Sequence, residues 1–375
     1  DAMIDQLADL MEPGDIIVAG PNFGCGSSRE MAPEAMKTAG IRCVIAPSFA
    51  RIFFRNSYNN GMLLLENDEL YQHVQNGDTV TVDLERLCVV FGDKEFRIPK
   101  IPDNLLEIVE NGGLVQTCEK ENRLAAEGKL PEKKPLPPAP EYTGEHTLAE
   151  KILMRNTHSA SLRPSDIVMA RPDRLFVLDI YTGPVYKKLK GMGYTKLAAP
   201  EKDGVIDDHQ IPCVMFDDPE SYRSGCRLAD EYHFGTHLIG EGIGHQLIPE
   251  RRYARPGDVV FVTDSHTTTY GAVGCFSTGV GYTEMAAALG RGEMWIRVPS
   301  AIKIQIDGRL PEGVMSKDVV LRVLGDLTAN GGTYRSLEFC GSAVDEMSVD
   351  SRLTISNMAV ECGAKAGLFA PDAKT

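Results

Sequence analysis

Positive charge is scarce in this sequence, and no basic stripe stands out along it. The 375 residues include 39 Lys and Arg against 53 Asp and Glu, a formal net charge of −14 at pH 7. Nucleic acids and anionic membranes are bound by clustered Lys and Arg, so this balance disfavours both as partners. No apolar run approaches a membrane-spanning length, and no basic region precedes an apolar one at the start of the chain. We therefore expect a cytoplasmic protein without an export signal.

Closely spaced cysteines are missing as well. The nine cysteines are scattered, odd in number and never spaced as Cys-x-x-Cys. This pattern predicts neither a disulfide framework nor a closed zinc site, and reduced thiols fit it best.

A proline-rich stretch divides the chain. At 375 residues two or three domains are expected, and five prolines stand among Lys and Glu within residues 128–146. Such a stretch prevents helix formation and favours extended, solvated backbone, so we predict a linker there. The predicted organisation is a first domain at 1–127, the linker at 128–146, a second domain at 147–298 and the start of a third at 299–375.

Short apolar runs alternate with helical patterns on both sides of this linker, which indicates the α/β fold class. Before it, a parallel core with added antiparallel strands is expected. Its predicted elements are strand 16–19, helix 31–36 and strands 79–82 and 87–91. After the linker the predicted elements are helix 148–156, strand 173–178, strand 259–263 and helix 283–289, with a further α/β unit from about Ile302.

A glycine-spaced turn follows the first predicted strand, with the sequence Gly24-Cys25-Gly26-Ser27-Ser28-Arg29-Glu30. Its last amides should be unpaired donors of a first helical turn, which attract anions. Arg29 adds a planar charged group that can grip a carboxylate, and the hydroxyls of Ser27 and Ser28 can bind a ligand or move a proton. The turn matches no dinucleotide fingerprint, P-loop or nucleophile elbow, and a purely structural turn is the alternative.

A second polar group, Thr263-Asp264-Ser265-His266-Thr267, follows the strand predicted at 259–263. Open α/β folds bind ligands at the carboxyl ends of their strands. Because neighbours on a strand point to opposite faces, we expect Asp264 and His266 to face the site together, with Ser265 turned aside or bonding a ligand. A hydrolase triad of three adjacent residues is disfavoured, since triads are assembled from separate parts of a fold.

Two further histidines have unusual neighbours. His209 follows Asp207 and Asp208, and His245 stands in a glycine-rich segment. An acid beside a histidine can raise its pKa and fix its tautomer, which a proton donor to a leaving hydroxyl needs. A purely structural role is the alternative for each.

These residues carry a resemblance to a known family. Asn22-Phe23-Gly24-Cys25-Gly26-Ser27-Ser28-Arg29-Glu30, segment 44–54 and Asn60-Gly61 resemble the small subunit of 3-isopropylmalate dehydratases, the swivelling domain of the aconitase superfamily. Segments 147–153, 264–267, 331–333 and 357–364 resemble the start of the large subunit. The resemblance implies a swivelling β/α domain at the N-terminus, joined by the Pro-rich linker to aconitase-like three-layer α/β/α domains.

The function implied by the resemblance is a hydro-lyase of leucine biosynthesis that moves a hydroxyl group on a branched hydroxy dicarboxylate. Ser27 would be the base, and Gly26, Ser28 and Arg29 would hold a carboxylate. Further implied catalytic residues are Asp208, His209, His245, Asp264 and His266, and further implied substrate-binding residues are Ser265, Asn357 and Glu361. His209 paired with Asp208, and His245 paired with Asp264, would assist departure and return of water.

The family also implies a [4Fe-4S] cluster held by three cysteines, which are expected downstream of Thr375, so the chain is expected to be truncated at both ends. Cys275, Cys340 and Cys362 are interpreted as core or structural thiols. The residues Asp179-Ile180-Tyr181-Thr182 stand where relatives place a His or Gln followed by an acid, which makes the exact hydroxy acid an open question.

Several alternatives stay open at this point. The chain could be a homoaconitase-like or dimethylmalate dehydratase-like enzyme, or a cluster-free or mononuclear metal enzyme using His233, His237 and His245. It could also be a non-catalytic relative that binds RNA, although the acidic balance argues against this. A small-molecule hydroxy dicarboxylate is the expected partner, and a homo-oligomer is possible.

Overall fold

The computed structural model describes residues 11–25, 31–130, 138, 145–215 and 218–375. The chain divides into two compact units, residues 1–128 and 129–375. Most of the predicted linker, at 131–137 and 139–144, lies outside the described residues. No helix within those ranges combines the length and apolar character that crossing a membrane would require.

The first unit has a parallel sheet with a separate antiparallel one, as predicted. The parallel sheet has the order β1-β2-β3, and the antiparallel sheet has the order β4-β5-β6. The strands are β1 Ile16–Val18, β2 Cys43–Ala46, β3 Leu63–Glu66, β4 Thr81–Asp83, β5 Cys88–Phe91 and β6 Lys94–Arg97. Strand β2 is buried at every position, as the centre of a parallel sheet requires. The helices are α1 Met31–Thr38, α2 Arg51–Asn59, α3 Asp103–Glu110 and α4 Leu114–Ala126.

The glycine turn lies between β1 and α1, and its entry is described. Gly24 has φ +86°, and a Cβ there would overlap the ring of Phe53, so both conformation and space require glycine. Gly26, Ser27, Ser28, Arg29 and Glu30 lie outside the described residues.

The second unit contains a five-stranded parallel sheet of order β10-β9-β8-β11-β12. Its strands are β8 Arg174–Leu178, β9 Gly204–Asp207, β10 Thr236–Ile239, β11 Val259–Val262 and β12 Phe276–Gly279. Both strands predicted here, 173–178 and 259–263, are confirmed as β8 and β11. Side chains from four of these strands contribute to one buried cluster with Tyr270 and Cys275.

A second parallel sheet, β14-β15-β16, follows in the same unit, and β7 pairs with β13 in antiparallel fashion. These strands are β7 Ile167–Ala170, β13 Met294–Arg297, β14 Ser300–Gln305, β15 Arg335–Cys340 and β16 Ala366–Phe369. The helices are α5 Leu148–Thr157, α6 Asp179–Gly191, α7 Asp218–Tyr232, α8 Gly244–Glu250, α9 Tyr282–Arg291, α10 Ser316–Leu327, α11 Ser342–Glu346 and α12 Val349–Met358. The predicted helices 148–156 and 283–289 are confirmed as α5 and α9, and β14 begins near Ile302 as expected.

The strand order of the five-stranded sheet creates the place for a site. Strands β8, β9 and β10 advance in one direction, and β11 and β12 lie on the other side of β8. Where the order reverses, a crevice opens outside the carboxyl ends of the strands. Asp179, Asp208 and Asp264 each stand just beyond the carboxyl end of β8, β9 or β11.

A close backbone contact joins the 3₁₀ helix that follows β11 to strand β16 of the second sheet. The 3₁₀ helix Ser265–Val273 packs on α12 and β16, and a Cβ at Gly271 would overlap the carbonyl group of Gly367. Glycine at 271 is therefore required by space and not by an unusual φ.

We predict that Gly271→Ala destabilises the protein by at least about 3 kcal/mol, because backbone must move to admit the methyl group. The matched control is Gly325→Ala in α10, where nothing lies within 4 Å of the added Cβ. That change should stabilise by about 0.5–1 kcal/mol through helix propensity. Chemical denaturation followed by circular dichroism measures both, and equal midpoints for the two variants would contradict the packing argument.

Candidate active site

The structure gathers the predicted site residues of the second unit at the carboxyl edge of the five-stranded sheet. Asp208 and His209 follow β9, His245 lies in α8 beyond β10, and Asp264, Ser265 and His266 follow β11. From the second sheet come Asn357, near the end of α12, and Glu361, in the 3₁₀ helix Ala359–Cys362. The predicted residues of the first unit, Gly26, Ser27, Ser28 and Arg29, lie outside the described residues.

Asp264 is the centre of the hydrogen-bond network. Its Oδ1 accepts a hydrogen bond from the backbone N–H of His266 at 2.7 Å and another from Nε2 of His245 at 2.8 Å. Burial alone would raise the pKa of Asp264, but the hydrogen bond and charge of His245, with the amide and charge of His266, outweigh it and lower that pKa. Asp264 therefore stays an ionised acceptor at neutral pH.

The local geometry around Asp264 differs from the prediction. Asp264 is the N-cap of the 3₁₀ helix Ser265–Val273, so the expected alternation of side chains along a strand is wrong here. A carboxylate that accepts the second amide of a turn favours helix initiation over strand extension. Ser265 bonds its neighbour, because its Oγ donates to Nδ1 of His266 at 3.0 Å.

His245 is held on both nitrogens, and one partner, Tyr270, was not predicted. The Tyr270 hydroxyl lies 3.1 Å from Nδ1 of His245. Complete burial, followed by the negative charges of Asp264 and Asp208, raises the pKa of Tyr270 well above its usual value. The protonated hydroxyl donates to Nδ1, which leaves the ring proton on Nε2 facing Asp264. Tyr270 reaches His245 across 25 residues of sequence, so no local pattern pointed to it.

His209 is paired with Asp208 on one side and open on the other. Its Nδ1 donates to Oδ1 of Asp208 at 2.6 Å, and Oδ2 of Asp208 accepts the backbone N–H of Gly244 at 2.6 Å. The hydrogen bond to Asp208 raises the pKa of His209, burial opposes it, and the negative charges of Asp208, Asp179 and Asp264 add to the rise. The ring can therefore hold a proton near neutral pH and present it at Nε2, which lies 3.8 Å from Oδ2 of Asp264.

The second sheet contributes the partners of His266. Nε2 of His266 donates to Oε1 of Glu361 at 3.1 Å. The side-chain amide of Asn357 donates to Oγ1 of Thr269 at 2.9 Å, and Oγ1 of Thr268 donates to the carbonyl oxygen of Asn357 at 3.2 Å. These contacts fix the position of α12 beside the 3₁₀ helix, and Glu361 is held against His266.

One group within the described ranges has the composition of a cation site, namely Asp179, Asp208 and His209, whose ligand atoms lie within 4.8 Å of one another. Its carboxylate oxygens already accept hydrogen bonds from protein. Asp179 accepts three backbone N–H groups, and Asp208 accepts one backbone N–H and the ring of His209. Hydrogen bonds account for this group without a metal ion.

The mononuclear metal site suggested for three other histidines is wrong. His233 has φ +57° just after α7, and His237 lies in β10 with its Nε2 2.8 Å from Oδ2 of Asp207. They share no helix, and they form no ligand group with His245 in the part of the chain that the structure describes. The turn at Phe234-Gly235 separates them, since it leads directly into the strand.

The cysteines of the second unit do not form a cluster site. Cys275 and Cys362 are completely buried, and burial raises the pKa of both thiols. Cys340 donates to the carbonyl oxygen of Ile304 at 3.7 Å. No group of three ligands among the described residues includes a cysteine. The residues present therefore do not fit an iron-sulfur cluster.

Comparison with known proteins identifies relatives for both units. The aconitase family model (aconitate hydratase) matches residues 150–375, more than half of the chain. The model of the aconitase C-terminal domain matches residues 3–70, so the domain named for the C-terminus comes first here.

Curated relatives match the second unit. The 3-isopropylmalate dehydratase large subunit 1 of Methanopyrus kandleri is 44% identical over 233 residues, which cover 61% of this chain and 55% of that protein. Large subunit 2 from Archaeoglobus fulgidus is 42% identical over 229 residues, which cover 61% of this chain and 54% of that protein. The chain thus spans about half the length of these relatives.

A solved structure is also similar in sequence to part of the chain. A 3-isopropylmalate dehydratase from Methanocaldococcus jannaschii is 38% identical, covers 32% of this chain and 72% of its own, and superposes with a TM-score of 0.30. The match of the aconitase family model to residues 150–375 establishes the family. The chain belongs to the aconitase family.

Proposed function

We propose that the full-length protein is a hydro-lyase that moves a hydroxyl group on a branched hydroxy dicarboxylate, as an isopropylmalate dehydratase does. The observation that carries this is the arrangement of His209, His245 and His266 around the ionised Asp264 at the carboxyl edge of the sheet. Membership of the aconitase family and the names of the curated relatives support both the reaction class and the substrate.

His209 is proposed as the acid that protonates the departing hydroxyl. Hydroxide is a poor leaving group, so a positioned proton donor lowers the barrier to its departure. The ring of His209 meets the requirement because Asp208 binds Nδ1 and leaves Nε2 open, and because the hydrogen bond to Asp208 raises the pKa of the ring, which favours the protonated form. In the reverse step the same nitrogen takes a proton from water.

His245 and Asp264 are proposed to act as a fixed pair. Both ring nitrogens of His245 are engaged, with Tyr270 and Asp264. The hydrogen bond to His245 holds the Asp264 carboxylate close to Nε2 of His209. The negative charge of Asp264 then favours the protonated form of the His209 ring. His266, Ser265, Asn357 and Glu361 are assigned to the substrate-facing side of the same edge.

The base and the carboxylate clamp are proposed on the glycine turn of the first unit. Ser27 would take the carbon-bound proton, and Gly26, Ser28 and Arg29 would bind a substrate carboxylate. The turn falls inside the segment matched by the aconitase C-terminal domain model, which supports this assignment. The described ends of the turn, Gly24 and Met31, are compatible with a strand-turn-helix anion site.

A [4Fe-4S] cluster belongs to the proposal only for the full-length protein. When bound, such a cluster supplies a Lewis acid to the hydroxyl and carboxylate of the substrate. No cysteine joins a ligand group in the described residues, so no ligand of the cluster is assigned among them. The acid, base and clamp roles proposed for this chain use protein groups alone.

A small-subunit-like counterpart is proposed for the large-subunit-like region. The curated relatives are named large subunits, which implies a companion subunit for them. Here residues 3–70, matched by the C-terminal domain model, precede the large-subunit-like region in one polypeptide. A small-subunit-like partner is therefore proposed in place of the homo-oligomer that the sequence left possible.

The full-length protein, reconstituted with iron and sulfide without oxygen, is expected to convert isopropylmalate to the unsaturated acid. Absorbance of the conjugated product follows the reaction, and visible absorbance reports the cluster. Absence of both signals from a folded protein would exclude the proposed function, whereas turnover of a different hydroxy acid would change only the substrate.

Ser27→Ala and Ser28→Ala separate the proposed base from the proposed clamp. The first should lower kcat about 10²- to 10⁴-fold, since proton transfer loses its base. The second should mainly raise KM, because it removes a hydrogen bond to the bound carboxylate. Exchange of the carbon-bound hydrogen with deuterated water gives an independent readout, expected to be lost in Ser27→Ala alone. Equal losses of exchange in both variants would contradict the assignment.

The pH profile tests His209. Its folded pKa lies above 6.5, so kcat/KM should persist through that pH and fall as pH rises through the raised pKa, where the ring loses its proton. His209→Gln should lower the rate about 10²-fold or more and remove this alkaline limb. His233→Asn is the control, because His233 is exposed and asparagine tolerates its left-handed backbone. An unchanged limb in His209→Gln would eliminate His209 as the acid.

A further inference from the structure

Asp179 is a buried carboxylate for which the proposed reaction gives no role. It is the first residue of α6, directly after β8, and only 1% of it is exposed. Strand β8 pairs with β9 so that Leu178 stands opposite Ile206. This register brings the side chain of Asp179 alongside the segment that follows β9, which carries Asp208 and His209.

The carboxylate of Asp179 accepts three backbone hydrogen bonds. Oδ1 accepts from the N–H of Ile180 at 2.9 Å, and Oδ2 accepts from the N–H of His209 at 3.0 Å and of Gln210 at 2.7 Å. A carboxylate has lone pairs for all three donors, whereas a neutral imidazole has one acceptor nitrogen and an amide has only one acceptor oxygen. The local demand for acceptors therefore selects an acid at this position.

The same carboxylate also lies close to the His209 ring, with Oδ1 3.6 Å from Nδ1. Three carboxylates face this ring: Asp208 from its own segment, Asp179 from α6, and Asp264 from the end of β11. Each contributes to the raised pKa of His209. Burial is the largest influence on Asp179 itself and raises its pKa, while the amides of Gln210 and Ile180 and the charge of His209 lower it.

We infer that Asp179 is a positioning residue, which fixes the backbone of His209 and Gln210 and holds the His209 ring as a proton donor. It acts through His209 and does not contact the reacting atoms. Without these bonds the backbone N–H groups of His209 and Gln210 lose their acceptor, so the segment after β9 can shift and Nε2 of His209 leaves its place. The kinetic consequence rests on the proposed function, while the structural and protonation consequences do not.

Asp179→Asn is the decisive variant. It keeps the size of the side chain and removes the negative charge. It also replaces one carboxylate oxygen by an NH₂ group, which faces the Ile180 N–H and cannot accept its hydrogen bond. The matched control is Asp203→Asn: Asp203 is 4% exposed, precedes β9 in the same sheet, and accepts the backbone N–H of Leu175 at 3.1 Å. Both variants lose one buried aspartate that binds backbone, but only one of these aspartates faces His209.

The first measurement follows the His209 ring by NMR in the full-length protein labelled at histidine, with the signal assigned through His209→Gln. Asp179→Asn should move the titration of His209 to lower pH, because one of three facing negative charges is lost. Asp203→Asn should leave it unchanged. A folded Asp179→Asn protein with an unshifted His209 titration, or an equal shift in both variants, would overturn the inference.

The second measurement is kinetic. Asp179→Asn should lower kcat about 10- to 100-fold with a smaller change in KM, and should move the alkaline limb of the pH profile to lower pH. A uniform loss of rate with the limb in place would indicate a merely structural role and count against the inference. If the wild-type protein turns over no hydroxy acid, the proposed function fails, and the NMR titration still decides the role of Asp179.

A third measurement needs no variant and applies if Asp179→Asn does not fold. In the wild-type protein the side-chain carbonyl carbon of Asp179 and the backbone amides of His209 and Gln210 are observed together as pH is lowered. All three signals should move with one midpoint, because protonation of the carboxylate weakens both bonds. If the His209 and Gln210 amide signals do not shift as Asp179 titrates, the inference is overturned.

Discussion

The candidate site depends on one carboxylate, that of Asp264. It stands where β11 ends, and its Oδ1 accepts N–H groups from the His245 ring and from the backbone of His266. The first bond orients a histidine that comes from another strand end, and the second starts the 3₁₀ helix that carries Tyr270. The carboxylate remains charged because these partners outweigh the cost of burying it. Sheet, helix and histidine geometry are thus joined at one oxygen atom.

Much of the fold could be predicted because parallel strands that are buried on both faces have nearly continuous apolar sequences. Strand β11 and the last four residues of β8 are continuously apolar, and the polar residues just after these strands marked the carboxyl edge. The pairing of His209 with Asp208 was also accessible, since the two residues are adjacent. The family resemblance added Asn357 and Glu361, which no local pattern would have chosen.

Other features depend on contacts that local sequence does not encode. Glu361 reaches His266 across 95 residues, and Asp179 meets the His209 segment only through the pairing of β8 with β9. Strand-like alternation was expected for Asp264, Ser265 and His266 because they directly follow an apolar strand, yet one side-chain cap was enough to begin a helix. In each case tertiary or capping hydrogen bonds outweighed the local preference.

The contact between Gly271 and Gly367 limits how the site can diversify. Because the backbones of the 3₁₀ helix Ser265–Val273 and of β16 already touch there, a larger residue at 271 would push that helix, which carries His266, away from β16. A change in the shape of the candidate site is therefore easier to reach through side chains at the strand ends than through a wider spacing between this 3₁₀ helix and β16. The contact fixes the distance between the 3₁₀ helix and β16, so the candidate site can change shape only through the side chains that line it.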